Sequence, residues 1–112
     1  MALRVRAFGA SLLYTKPTRV APEMEQSFGV AYRTLDELLA QSDIVSLHAP
    51  LQPRTRGMID ADKLARMHAG SFLINTARGV LVDETALVDA LRSGHLAGAG
   101  LDVFAHEPIV PD

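Results

Sequence analysis

Short apolar runs alternate with stretches of helical periodicity along this chain, and that alternation limits the fold more than any other feature. Leu12–Tyr14 and Val30–Tyr32 are brief strand candidates, followed by Ile44–Leu47, Phe72–Ile74 and Ala97–Leu101. The last three are mostly apolar on both faces, as parallel strands covered by helices must be. Between the strands lie helices with recognisable ends. Thr34 and Glu37 stand at capping-box spacing, with Leu35, Leu38 and Leu39 as the buried stripe. Asp60 opens a helix that carries Leu64 and Met67, runs through His68 and stops before Gly70. Asp83 caps another, in which Ala86, Leu87, Ala90 and Leu91 recur until Gly94. Met1 to Gly9 reads as the second half of an amphipathic helix closed by its glycine.

Parallel neighbours need crossover helices of this length, so the pattern predicts an α/β fold with a doubly wound, mostly parallel sheet of the Rossmann type. The chain has 112 residues, enough for one compact domain. Eleven Lys+Arg against 13 Asp+Glu leave a net charge of -2. No positive field is available for a nucleic-acid backbone or an anionic membrane, and neither is an expected partner. No stretch approaches the ~20 apolar residues of a membrane span. With no cysteine, disulfides and thiolate-bound metals are excluded, and the composition suits the reducing cytosol; no metal site is expected.

In an open α/β sheet, ligands bind beyond the carboxyl ends of the strands. Three segments occupy those places: His48–Pro50, Asn75–Gly79 and Asp102–Pro108. Arg78, at a strand end beside Gly79, can present parallel N–H groups to a carboxylate and polarise a neighbouring carbonyl; alternatively it balances Asp83 or Glu84 on the surface. Asp102 can accept a hydrogen bond from an amide-bearing cofactor or cap the next turn. Glu107 can orient a catalytic histidine and raise its pKa, or be a solvated loop acid. His68 and His95 read as surface residues, and His106, next to Glu107, as a poor substitute for a catalytic histidine.

These residues also form a linked set. Asn75–Gly79 followed by Val82-Asp83, then Gly94–Ala99, Leu101–Phe104 and Glu107-Pro108, resembles the D-isomer-specific 2-hydroxyacid dehydrogenases in order and spacing. The likeness extends upstream through Ser42–Leu51 and Thr55–Ile59 to Ala7–Gly9, and so covers nearly the whole chain. It implies hydride transfer between a nicotinamide cofactor, NADP or NAD, and a small 2-oxo or 2-hydroxy acid, as in glyoxylate and hydroxypyruvate reductases. It further implies that Arg78 holds the substrate's carboxylate and carbonyl, and that Glu107 pairs with the catalytic histidine. Pro50, Thr55, Thr76, Ala77 and Asp102 match positions lining the dinucleotide, with Asp102 near the nicotinamide amide and His48 in the same loop. Family members commonly dimerise through the cofactor domain, so a homodimer is implied as well.

Two parts of the family pattern lie outside these residues. The glycine fingerprint G-x-G-x-x-G belongs before the helix that begins at Met1, together with the strand preceding it, and the catalytic histidine belongs beyond Glu107-Pro108 in a Thr-Pro-His sequence. Residues 1–112 are therefore expected to be a partial dinucleotide-binding domain without the substrate-binding domain, inactive alone, with a gap between the second and fourth strands of the family order. A non-catalytic ligand-binding or interaction domain derived from the same fold is the alternative.

The second strand of that order ends Tyr14-Thr15-Lys16-Pro17-Thr18-Arg19, with no acid before Glu23. An NAD-preferring site places Asp or Glu there. Lys16 and Arg19, with the hydroxyls of Thr15 and Thr18, suit the 2′-phosphate of NADP instead, because charge-assisted bonds to a dianion are strong. NADP is the favoured cofactor; a solvated basic loop is the other reading.

Overall fold

The computed structural model describes residues 1–107. The chain divides into two compact units, one formed by residues 1–38 and the other beginning at Leu39.

The first unit contains α1 (Ala2–Arg6), β1 (Leu12–Tyr14), α2 (Pro22–Phe28) and β2 (Val30–Tyr32). The two strands pair in parallel, Leu12 opposite Val30 and Tyr14 opposite Tyr32. After α1 the chain reverses at Gly9, whose φ of 84° favours glycine as expected. The sequence pattern does not mark α2. Proline at its N-terminus and Gly29 in the left-handed conformation at its C-cap delimit it. Its first residues carry Glu23 and Glu25, and its two large apolar residues, Met24 and Phe28, are exposed, so the helix buries no apolar stripe.

A third helix, α3 (Leu35–Gln41), crosses the boundary between the units. Its capping box is present in both directions: Thr34 N–H donates to Glu37 Oε2 at 3.1 Å, and Glu37 N–H donates to Thr34 Oγ1 at 3.3 Å.

The second unit contains β3 (Ile44–Leu47), α4 (Ala61–Arg66), β4 (Ser71–Asn75), α5 (Glu84–Arg92) and β5 (Leu96–Leu101). The strands form a parallel sheet in the order β3-β4-β5. Asp60 and Asp83 cap α4 and α5 through bonds from Lys63 N–H and Ala86 N–H. Val45, Leu47 and Leu73 are buried with Leu64, Leu87 and Leu96, forming the core. Among the described residues β1 and β2 pair in one sheet and β3, β4 and β5 in another.

Three details correct the sequence reading. Helix α4 ends at Arg66, because Met67 is already extended with ψ 141°; His68 lies beyond the helix and bonds Asp43 Oδ1 at 3.0 Å. His68 lies at the surface with its side chain 39% exposed, whereas His95 is half-buried rather than a surface residue, tied by Nε2 to the Leu64 carbonyl at 3.2 Å. Of the two faces of the β3-β4-β5 sheet one is the more exposed among the described residues: Ile44 is 62% exposed and Phe72, its register partner, 43%.

Candidate functional site

Asn75 organises the rim at the end of β4. Its side chain is buried, with Nδ2 donating to the Arg78 carbonyl at 2.9 Å and Oδ1 accepting from Ala77 N–H at 3.1 Å. Its own carbonyl accepts from Asp102 N–H at 3.0 Å, so one residue ties the β4 turn to the end of β5. A buried amide satisfied from both sides is a rigid support for the turn through Arg78. The sequence places Asn75 in the motif without revealing this role.

Arg78 emerges from that turn exposed, with Nη1 on the Ala77 carbonyl at 2.7 Å. Neither expected surface partner takes its fork: Asp83 Oδ1 accepts from the α5 backbone, and Glu84 Oε1 accepts from Ala105 N–H at 2.8 Å. Gly79, buried in a one-turn 3-10 helix (Gly79–Leu81), abuts the Phe104–Ala105 backbone. Glu107 Oε1 accepts from Phe104 N–H at 2.7 Å. Arg78 and Glu107 thus share a cleft of about 420 Å³ with Gly79, Val80, Val103, Phe104 and Ala105.

The remaining rim residues divide into exposed and structural groups. His48 is exposed, with Nε2 2.9 Å from Ser46 Oγ. Pro50, Thr76 and Asp102 are exposed, and Ala77 is half-buried. Thr55 is buried: its hydroxyl accepts from Gln52 N–H at 2.8 Å and donates to the Pro50 carbonyl at 2.7 Å, which fixes the loop after β3.

In the first unit, Lys16 is exposed, but Arg19 has a partner that sequence spacing does not reveal. Arg19 Nε donates to Glu25 Oε1 at 2.6 Å and Nη2 to Glu25 Oε2 at 3.2 Å. The guanidinium carbon lies 5.4 Å from the Tyr32 ring centroid. The hydrogen bond from Arg19 holds the Glu25 carboxyl below its ordinary pKa, and the same bond raises that of Arg19.

A larger groove, about 610 Å³, lies between α4 and α5 over Ala65, Ala86 and Ala90. It has none of the strand-end groups, and its histidine, His95, is engaged by the Leu64 carbonyl. The smaller cleft is the chemically equipped one.

All of residues 1–112 match the family described as D-isomer specific 2-hydroxyacid dehydrogenase, NAD binding domain. The chain belongs to this family. Among curated relatives it is 48% identical over 108 residues to D-3-phosphoglycerate dehydrogenase of Mycobacterium leprae, covering 96% of this chain and 20% of that protein. It is 47% identical over 112 residues to glyoxylate reductase of Korarchaeum cryptofilum, covering 100% of this chain and 33% of the relative. The crystal structure of a glyoxylate reductase from Paecilomyes thermophila superimposes with a TM-score of 0.89 at 48% identity, over 96% of this chain and 32% of that one. The chain therefore spans a fifth to a third of the curated relatives' length. Membership of this dehydrogenase family fixes the fold as Rossmann-like and the cofactor class as NAD(H)-type dinucleotides.

Proposed function

We propose that this chain is the dinucleotide-binding part of a 2-hydroxyacid dehydrogenase that reduces a small 2-oxo acid, as glyoxylate reductases do, and that it prefers NADP. The observation carrying the reading is the Arg78 rim. A guanidinium free of carboxylate partners among the described residues stands at a strand end, on a turn held by Asn75, within a family whose domain binds NAD. The residues present suit the cofactor: half-buried and exposed groups of Pro50, Thr76, Ala77 and Asp102 line the strand ends, and Lys16 with Thr15, Thr18 and Arg19 offers cations and hydroxyls for a 2′-phosphate.

When bound, the dinucleotide supplies or accepts the hydride at the substrate's 2-carbon. Arg78 would anchor the substrate carboxylate through paired N–H groups and polarise the neighbouring carbonyl. Glu107, on the same cleft, is the proposed partner of a catalytic histidine, holding its ring and favouring the protonated form. His48 would contribute from the loop after β3. A cytosolic homodimer is the setting proposed for the intact protein, on the family resemblance alone.

The test is a fluorescence titration of the purified chain with NADPH and NADH, alongside Lys16→Glu and Arg19→Glu. Saturable binding, tighter for NADPH and weakened in both variants, is expected. A folded chain that binds neither nucleotide contradicts the dinucleotide reading; equal affinity for the two contradicts the NADP preference.

A further inference from the structure

Arg19 and Glu25 meet in an unequal way. The Glu25 side chain is 10% exposed and that of Arg19 60%, so the carboxylate is withdrawn from water while the guanidinium reaches into it. The pair uses Nε and Nη2, which is one edge of the fork. Nη1 lies outside it, leaving an edge with N–H groups for a second anion. Tyr32 lies beside the guanidinium, Tyr14 packs edge-on against Tyr32 with centroids 5.6 Å apart, and the Tyr14 hydroxyl accepts from Val20 N–H at 3.0 Å. The residue after Arg19 is thus pinned as well. An arginine alone on a loop samples many rotamers; here the head is held from two sides and the backbone from a third.

We propose that Glu25 is a positioning residue for cofactor selection, holding the Arg19 guanidinium beside Tyr32 so that its Nη1 edge meets the 2′-phosphate of NADPH. This rests on the NADP reading. The benefit is preorganisation: a fork fixed before binding loses less freedom when the phosphate arrives. Charge and aim act with opposite signs here. Glu25 is an anion near the position of the phosphate, so by charge alone its removal strengthens NADPH binding. If its role is to aim Arg19, its removal weakens NADPH binding despite that gain. NADH, which lacks the 2′-phosphate, is indifferent in either case.

The experiment is a double-mutant cycle on the full 112-residue chain, comparing the parent, Glu25→Gln, Arg19→Ala and the double variant, each titrated with NADPH and NADH and checked for fold by circular dichroism. Glu25→Gln is expected to weaken NADPH about fivefold or more with NADH within about twofold, and to have no further effect once Arg19 is alanine. Tighter NADPH binding by Glu25→Gln, a loss that persists in the Arg19→Ala background, or an equal loss for both nucleotides overturns the proposal. If Glu25→Gln does not fold, Glu25→Asp substitutes: it keeps the charge but is one methylene short, and an unchanged NADPH affinity in that folded variant also overturns the proposal. A parent chain with no NADPH preference, or an Arg19→Ala variant that keeps it, removes the NADP reading itself and the proposal with it. A preference that depends on Arg19 but not on Glu25 removes only the proposal.

Discussion

Gly79 lies directly against Phe104: a Cβ on Gly79 would overlap the carbonyl carbon and oxygen of Phe104 and the amide nitrogen of Ala105. The turn that presents Arg78 and the loop that carries Asp102 and Glu107 therefore touch backbone to backbone. The constraint is steric, since Gly79 is not among the positive-φ glycines. Gly79→Ala must push the loop away, and overpacking of this kind costs about 1–3 kcal/mol. Urea unfolding of the variant should show that loss; an unchanged midpoint contradicts the contact.

Glu84 holds the same loop by a different means, accepting from Ala105 N–H at 2.8 Å. Glu84→Met keeps the length and removes the acceptor, leaving a part-buried donor unpaired at a cost of about 1–3 kcal/mol, whereas Glu84→Gln retains an acceptor and should lose much less. Hydrogen exchange at the Ala105 amide is the local readout: fast in the methionine variant, near the parent's rate in the glutamine variant.

The strong local signals in the sequence are legible because each is a short-range device. The Thr34/Glu37 box and the Asp60 and Asp83 caps need only three residues to be recognised, and all three are present. Helix α2 escapes because it is seven residues long with only Met24 and Phe28 apolar, too few to establish a period, although Pro22 and Gly29 do mark its ends. Glu25 escapes with it: its partner sits six residues away across a loop, a distance that helical spacing does not reveal. Asn75 and Thr55 are visible as motif residues, but their bonds depend on the turn conformations that only the folded chain supplies.

Thr55 supplies a third expected outcome. Its hydroxyl serves both Gln52 N–H and the Pro50 carbonyl, so Thr55→Val strands two backbone groups without changing the shape of the side chain. A loss of about 1–3 kcal/mol is expected in denaturant unfolding, with Thr55→Ser recovering most of it. A valine variant as stable as the parent would show that the hydroxyl does not hold the loop.

The Arg19–Glu25 pair sets a pH dependence. The folded-state carboxyl lies below its ordinary value of 4.5, chiefly through the hydrogen bond from Arg19. A depressed carboxyl contributes stability that is complete above its unfolded pKa and is lost as pH falls through the folded one. The melting temperatures of the parent chain and Glu25→Gln should therefore differ at pH 7 and converge on acidification below about 4.5. A constant difference down to pH 2 contradicts the pairing. The raised Arg19 value contributes stability that is fully present near neutrality and is lost only at strongly alkaline pH, so it adds no pH dependence in the acid range.

The most direct test of dinucleotide binding at this rim is an amide chemical-shift map of the isotope-labelled chain titrated with NADPH. Saturable shifts are predicted at the strand ends, in Thr76, Ala77, Arg78 and Asp102, with a second group at Lys16 and Arg19. Shifts confined to the α4–α5 groove around Ala86 and Ala90, or none in a folded chain, would contradict it.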